Sequence, residues 1–387
     1  MFSSTVCTGC SLLCDDVEVD VENEKVAHTL GACRRGGEHL VVSRAHWEQE
    51  MLDKAAQMLR ASRSPLFYGL SNLSSEAIEM ALELAEKLGA CVDFEASLCR
   101  GRGYELFLTS KSTTSLDWVR NNADVIVYMF CDPLSTHPRH LSMFSYYPRG
   151  ENRQQGWERG RKTLAIDAYE CATARVVNRF FYARHCEADQ LFSSLASALA
   201  GKVPKPTEHL SQKQIIEIAS SLKKAKSGVL VLGPELADVN TDALEELLTA
   251  LDGTSVKILP TFTHANSRGL SKAIYERVGS VSPAVFDGKW KRCEGAASPE
   301  SFDLLFNLCS DPVAAHPSLA RIPSIISAAS HPTLTGRLAQ LNIPVAVLGV
   351  DEAGSALRLD GVRVDAPRLL DMGLESTILL RQLIEQL

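Results

Sequence analysis

The chain has 387 residues, of which 45% are hydrophobic and 22% charged, and a formal net charge of -7. This is globular composition, long enough for two or three packed domains and unlike a disordered scaffold. An acidic balance argues against nucleic acid or an anionic membrane as the main partner, because either needs a basic face, and leaves small molecules or other proteins.

The longest apolar runs, such as Val125 to Phe130 and Val229 to Leu232, are strand-sized. A membrane helix needs roughly 20 apolar residues, so none is expected. The sequence reaches Cys7 without a basic region or an apolar stretch of secretory length, and the expectation is a cytoplasmic protein. In a reducing compartment its eleven cysteines are thiols or metal ligands rather than disulfides.

Residues 1 to about 50 begin with Cys7, Cys10, Cys14 and Cys33, spaced C-x2-C-x3-C-x18-C, with Gly31, Gly36 and Gly37 around the fourth. Four thiolates in a glycine-permissive loop suit a [4Fe-4S] cluster, around which backbone must wrap closely. Zinc usually takes two C-x2-C pairs, and the second pair is missing; four metal-free thiols are the remaining alternative. Val17 to Glu22 then alternates with period two, as a half-buried strand does. The expectation is a small β-containing cysteine module.

From Ser64 the chain reads as an apolar strand (Pro65 to Gly69), a polar turn, a helix to Leu88 stopped by Gly89, and a strand beginning Cys91-Val92-Asp93. Strands are also expected at Ala123 to Phe130, Thr163 to Asp167, Gly228 to Gly233 and Val345 to Gly349, with helices such as Thr241 to Leu251 between them. The fold class is therefore α/β, with parallel sheets wrapped by helices.

Two strand ends echo each other. Ala123 to Phe130 runs into Cys131-Asp132-Pro133-Leu134-Ser135-Thr136-His137-Pro138, and Phe302 to Leu308 runs into Ser310-Asp311-Pro312-Val313-Ala314-Ala315-His316-Pro317. The repetition of D-P-x-x-x-H-P after an apolar run predicts two similar halves, each with its ligand edge at the carboxyl ends of its strands. Asp132, Asp311 and His316 are secondary candidates there, since Asp-Pro after a strand is also simply a turn. Lys202 to Pro206 and Gly288 to Pro299 read as surface connectors.

Cys7-Thr8-Gly9-Cys10-Ser11-Leu12-Leu13-Cys14-Asp15-Asp16 resembles the opening of the B subunit of formylmethanofuran dehydrogenase, in the molybdopterin oxidoreductase superfamily, and of its bacterial formyltransferase/hydrolase counterpart. Ala123 to Tyr128 with Asp132-Pro133 and His137-Pro138-Arg139-His140 is similar to the family's strand and N-P-x-x-x-H-P-R-H segment. Gly354-Ser355-Ala356-Leu357-Arg358-Leu359-Asp360-Gly361 is similar to its G-T/S-x-x-R-x-D-G segment, so the resemblance spans nearly the whole chain.

The resemblance implies two Rossmann-like parallel-sheet domains beside the cysteine module at 1–50. One is discontinuous, 51–115 with 271–387, and the other, 116–270, is inserted. It also implies a tungsten or molybdenum bis-pterin in active members, other subunits of a one-carbon complex as partners, and a pterin contact by Arg268, which alone reads as an ordinary loop arginine. His137, Arg139 and His140 follow a strand, where a pterin or phosphate could meet imidazole and guanidinium donors, with loop hydrogen bonding as the alternative. Active relatives carry a metal-ligating cysteine shortly before the A-D-V-I strand; here that position is Thr114. A hydroxyl is a hard, weakly acidic donor and does not readily replace a soft thiolate. Cys99 lies farther upstream and Cys131 after the strand, so neither is an evident substitute.

The tungsten members of the family reduce carbon dioxide to formate. The bacterial complexes run from formyl-tetrahydromethanopterin through formyl-methanofuran to formate and need no redox metal. Thr114 therefore points to a redox-silent subunit of a formyl-transferring complex, whereas the cysteine quartet fits an active dehydrogenase whose cluster relays electrons. A free-standing iron–sulfur carrier is a third reading, with little use for hundreds of α/β residues. No G-x-x-x-x-G-K-[ST], G-x-S-x-G or H-E-x-x-H occurs, so formyl hydrolysis or transfer belongs to other subunits.

Overall fold

The computed structural model describes residues 2–41, 46–95, 101–153, 160–233 and 241–387. They divide into two compact units, Met1–Gly101 with His264–Arg358 and Arg363–Leu387, and Arg102–Thr263 with Leu359–Val362.

The first unit opens with an antiparallel sheet of β1 (Phe2–Cys7), β2 (Cys14–Glu22) and β3 (Lys25–Leu30). The alternation in β2 buries Val17 and Val19 and leaves Glu18 exposed, as period two requires. Helices α1 (Arg34–Leu40) and α2 (Gln49–Ala61) follow, then β4 (Pro65–Gly69), buried at every position. Helix α3 (Ser75–Leu88) starts where Ser74 Oγ accepts the Ala77 N–H at 3.1 Å and stops at Gly89, which takes φ 60°. Strand β5 (Cys91–Asp93) pairs with β4 in parallel.

The second unit is built on an all-parallel sheet. After α4 (Gly101–Thr109) and α5 (Leu116–Asn122) come β6 (Val125–Met129), the single turn α6 (Pro133–Thr136), β7 (Lys162–Asp167) and β8 (Arg179–Tyr182). Helices α7 (Ala188–Leu199) and α8 (Gln212–Lys224) lead to β9 (Gly228–Leu232), α9 (Thr241–Asp252) and β10 (Val256–Pro260). The strand order β10-β9-β6-β7-β8 means the chain winds outward from β6 to one side and then returns to the other. Open parallel sheets place ligands at the carboxyl ends beside such a reversal.

The chain then rejoins the first unit through α10 (Ser267–Val278), β11 (Ala284–Phe286), β12 (Trp290–Arg292), β13 (Leu304–Leu308), the turn α11 (Pro312–Ala315), β14 (Ser324–Ala329), α12 (Leu334–Leu338) and β15 (Leu341–Pro344). The sheet order is β12-β11-β5-β4-β13-β14-β15, parallel from β5 to β15, with β11 and β12 added as an antiparallel hairpin. A small ladder of β16 (Gly354–Leu357) and β17 (Arg363–Ala366) and the terminal helix α13 (Ser376–Gln386) complete the unit.

The strand expected at Val345 to Gly349 is not one. The strand lies just before, at β15, and Val345 to Gly349 is a buried loop whose carbonyls serve β1 and the turn after it. Thr8 Oγ1 donates to Leu348 O at 2.8 Å, Thr5 Oγ1 donates to Gly349 O, and the Asp351 carboxylate accepts the Val347 N–H at 2.6 Å. These bonds take the place of a strand ladder. Among the described residues no helix is long and apolar enough to cross a membrane.

Candidate functional site

The four N-terminal cysteines arise from three local features. Cys7 and Cys14 are Cα partners across the β1–β2 ladder, which sets their side chains as cross-strand neighbours. The turn between them carries Cys10, with Leu13 at φ 43° donating its N–H to Cys10 O at 3.2 Å. Cys33 caps α1, its Sγ accepting the Gly36 N–H at 3.3 Å.

Gly36 joins these features. A Cβ there would lie 2.8 Å from Cys7 Sγ and 3.7 Å from Cys33 Sγ, so both sulfurs border one glycine. Burial pushes the Cys10 thiol up to about 11, with Cys7 and Cys33 adding to the rise and Arg35 opposing it. Cys7, Cys10 and Cys14 are buried and Cys33 half-buried. A buried thiol such as Cys10 is costly to ionise unless a cation or cluster takes the proton's place.

Beside this loop is a cleft of about 310 Å³ in the same unit. Thr8, Gly9, Arg35 and His39 come from the cysteine loop and α1, while Cys309, Ser310, Ser330 and His331 come from the carboxyl ends of β13 and β14. His39 and His331 stack with centroids 4.7 Å apart, and His331 Nε2 donates to His39 O at 3.0 Å. Thr8 Oγ1 lies 2.9 Å from His39 Nε2. Neither histidine belongs to a sequence motif, so the spacing of residues carried no sign of them.

The two echoed strand ends share an atomic design. Phe130 and Cys309 take φ 49° and 52°, and their N–H groups donate to Ile166 O and Ala328 O, each at 2.8 Å. Asp132 Oδ1 accepts the Thr173 N–H at 2.9 Å and hydroxyl at 2.6 Å; Asp311 Oδ1 accepts the Thr335 N–H at 2.9 Å and hydroxyl at 2.7 Å. Each threonine oxygen in turn accepts a 3.0 Å bond from the short helix, from Leu134 N–H and Val313 N–H. Burial works against ionisation at both aspartates, but hydrogen bonds outweigh it and hold both carboxyls below the usual range: from the Ser135 hydroxyl and then Thr173 at Asp132, and from Thr335 and then Leu334 at Asp311.

His137 and His140 lie inside the second unit. His137 is 2% exposed, its Nε2 donating to Phe262 O at 2.9 Å and its Nδ1 2.9 Å from Thr136 Oγ1. His140 is fully buried, with Nδ1 2.8 Å from Ser145 Oγ and Nε2 without a hydrogen-bond partner; burial, then His137, pushes its pKa down to about 3. Arg139 between them is half-buried. Arg268 belongs to the first unit, half-buried in the opening turn of α10, after Ser267, whose hydroxyl donates to Glu95.

Thr114 is half-buried in the second unit and donates its N–H to Ile258 O at 2.9 Å, so it flanks the edge strand β10. Cys131 is buried, its thiol donating to Val231 O at 3.5 Å and raised well above the usual range by burial. Cys99 lies outside the described residues. A second cleft of about 350 Å³ opens at the carboxyl ends of β6 and β7, lined by Asp132, Asp167, Tyr169, Arg175 and His185 among others. Asp167 ends the second strand of the winding, the usual place for an acid that accepts from a ribose diol in such sheets, and strand position alone marks it out.

No model of a known protein family matches the chain. Its sequence is similar to two curated proteins, each the B subunit of a tungsten-containing formylmethanofuran dehydrogenase 2. The one from Methanocaldococcus jannaschii is 27% identical over 95% of this chain and 93% of the relative. The one from Methanococcus maripaludis is 25% identical over 96% and 94%. Among solved structures, the fold is similar to one polypeptide of the formyltransferase/hydrolase complex of Methylorubrum extorquens, crystallised with methylofuran, at TM-score 0.67 and 18% identity over 88% of this chain and 96% of that one. It is also similar to acetylene hydratase from Pelobacter acetylenicus, at TM-score 0.62 and 10% identity over 99% of this chain and 69% of that one.

Proposed function

The chain is homologous along nearly its whole length to the B subunit of formylmethanofuran dehydrogenase, and from that premise we propose that it fills the same place in a multi-subunit complex of methanofuran-linked one-carbon metabolism. The observation that carries this reading is the coincidence of near-complete coverage with a buried thiol group beside a cleft at strand carboxyl ends. The partners are the other subunits, which hold the formyl-transferring sites.

Cys7, Cys10, Cys14 and Cys33 would hold a [4Fe-4S] cluster, which supplies one-electron transfer. The fit is supported by the Cys7 and Cys33 sulfurs, which both border Gly36, and by Arg35, whose charge opposes the rise at Cys10. We read residues 1–50 as the cysteine module, 51–115 with 271–387 as one Rossmann-like domain and 116–270 as the inserted one, although the compact units place 102–115 with the inserted part and 264–270 with the first; the parallel ladders of the two large sheets support the Rossmann-like reading. A tungsten or molybdenum bis-pterin would supply oxygen- or hydride-level redox chemistry. In the second unit Asp167 would accept from its hydroxyl or amine donors, while Arg175 would offer cationic donors to phosphate.

Thr114 in place of the family's thiolate supports a redox-silent role. The retained cysteine quartet favours the second reading, an active dehydrogenase subunit interconverting carbon dioxide and formate. The test is metal analysis of the complex purified anaerobically with its partner subunits. Iron near four per chain, no tungsten or molybdenum, and formyl transfer by the complex are expected. Stoichiometric tungsten or molybdenum moves the assignment to the dehydrogenase, and a chain that never associates with the other subunits removes this reading altogether.

A further inference from the structure

Away from the N-terminal cysteines and both strand-end clefts, two cysteines 202 residues apart in sequence place their sulfurs 2.6 Å apart, only a little longer than the S–S bond of about 2.05 Å. Cys91 opens β5, 4% exposed, with Leu66 on β4 and Val285 on β11 as its strand partners. Cys293 follows the β11–β12 hairpin, held by its N–H donating to Pro283 O at 3.0 Å, and is half-buried. The loop carrying it is tied to β5 a second time, where the buried Asp93 carboxylate accepts the Ala296 N–H at 2.5 Å. Strand β5 and the loop carrying Cys293 are thus held together before any bond joins the sulfurs.

From this geometry we propose that Cys91 and Cys293 form a redox-active dithiol, with Cys293 the attacking and Cys91 the resolving thiol, oxidised reversibly by a low-molecular-weight disulfide. Access assigns the roles. A cleft of about 320 Å³ opens over the pair, walled by Arg63, Gly89, Val285 and Phe302, and Cys293 is the more exposed of the two residues. Their ionisation runs the same way: the hydrogen bond with Cys91 lowers Cys293, burial opposes this, and the Gly295 N–H adds to the lowering. Cys91 is raised, first by Cys293 and then by burial, and so keeps its proton until exchange begins.

The Cys293 thiolate attacks one sulfur of R–S–S–R, forming a mixed disulfide and releasing RS⁻, which takes a proton from water. Cys91 then attacks the Cys293 sulfur; the Cys91–Cys293 bond forms, the second RS⁻ leaves, and it takes up the Cys91 proton. The protein loses two electrons and the small disulfide gains them. The bond staples the β11–β12 hairpin to β5 at the edge of the seven-stranded sheet.

The experiment uses the full chain, folded as judged by circular dichroism, equilibrated anaerobically in buffers of reduced and oxidised glutathione, alkylated and mapped by mass spectrometry. A Cys91–Cys293 linked peptide is expected in oxidising buffers and its loss on return to reduced glutathione. Cys91→Ser is expected to accumulate a glutathione adduct at Cys293, and Cys293→Ser to leave Cys91 unmodified. Wild-type protein that stays folded and gives no linked peptide at any ratio overturns the proposal, whether or not the variants fold. An adduct on Cys91 in place of Cys293 overturns the assignment of roles. The outcome is independent of metal content and of formyl transfer, so it stands or falls apart from the proposed function.

Discussion

The strand ends at Asp132 and Asp311 are built alike and surrounded differently. Both have a left-handed residue, an Asp-Pro turn and a threonine clamp, with distances matching to within 0.1 Å for the paired clamp bonds. Beyond the clamp they part. At Phe130 the aromatic ring packs on His185 and Phe192, beside the cleft that holds Asp167. At the equivalent Cys309 the residue borders the cleft by the cysteine loop, while its thiol is buried against Glu352 and Ser376. The repeated part is scaffold, and the chemistry sits in what each copy has been given around it.

If the two clamps are the same device, removing either carboxylate costs the same. Asp132→Ala strands the Thr173 and Ala172 N–H groups with the Thr173 hydroxyl and frees the exposed Ser135 hydroxyl, and Asp311→Ala strands the Thr335 and Leu334 N–H groups with the Thr335 hydroxyl, a loss of about 3 kcal/mol in each case. Urea unfolding of the two variants should show similar losses. A difference of more than about twofold breaks the equivalence. Both carboxyls are held below their unfolded values, so the contribution is present above the unfolded range and disappears as pH falls through the lowered folded values. Acid titration should therefore weaken both clamps together.

Much of this architecture is legible in the sequence because it is local. Buried runs such as Pro65 to Gly69 and Val125 to Met129, the Ser74 cap, the Gly89 stop and the D-P-x-x-x-H-P echo each need only a few neighbouring residues. The cysteine spacing is legible for the same reason. What was not legible depends on distant partners. Val345 to Gly349 reads as a strand until Thr5 and Thr8 take its carbonyls. The His39–His331 stack and the Cys91–Cys293 contact join segments with no common motif. His137 and His140 follow the strand end as the sequence implies, and their rings turn inward to Phe262 and Ser145 through contacts that the sequence does not show.

The difference behind the two strand ends has its own signature in pH. Burial raises Glu352 to about 7, while bonds from Ser376 oppose the rise. Its Oε2 accepts the Ser376 N–H at 3.0 Å, and its Oε1 is buried without a hydrogen-bond partner. A carboxyl raised on folding ionises more easily in the unfolded chain, so stability falls as pH climbs from the unfolded value toward 7 and then levels. Between pH 5 and pH 7 this is on the order of 2 kcal/mol. Glu352→Gln keeps the acceptor for Ser376 and should remove that slope from the first unit's unfolding. An unchanged slope would mean that Glu352 is ionised in the folded protein and that the two strand ends differ less than their surroundings imply.

The smallest expected effect tests whether the second unit carries redox chemistry at Thr114. Its anchoring bond to β10 is made by the backbone N–H, which an alanine keeps. Its hydroxyl is a hard donor, poorly suited to tungsten or molybdenum. Thr114→Ala should then leave formyl transfer by the assembled complex within about twofold of wild type, which corresponds to well under 1 kcal/mol. The informative control is Cys99→Ser, assayed in the same complex for tungsten and molybdenum as well as for turnover. If neither substitution changes metal content or activity, the protein is redox-silent at both positions. Bound tungsten or molybdenum that disappears in Cys99→Ser and persists in Thr114→Ala would transfer the ligand role to Cys99 and make the chain an active dehydrogenase component. Loss of turnover in Thr114→Ala with folding intact would instead place a working hydroxyl on the edge of the second sheet, and the difference between the two units would then lie in catalysis as well as in what lines their clefts.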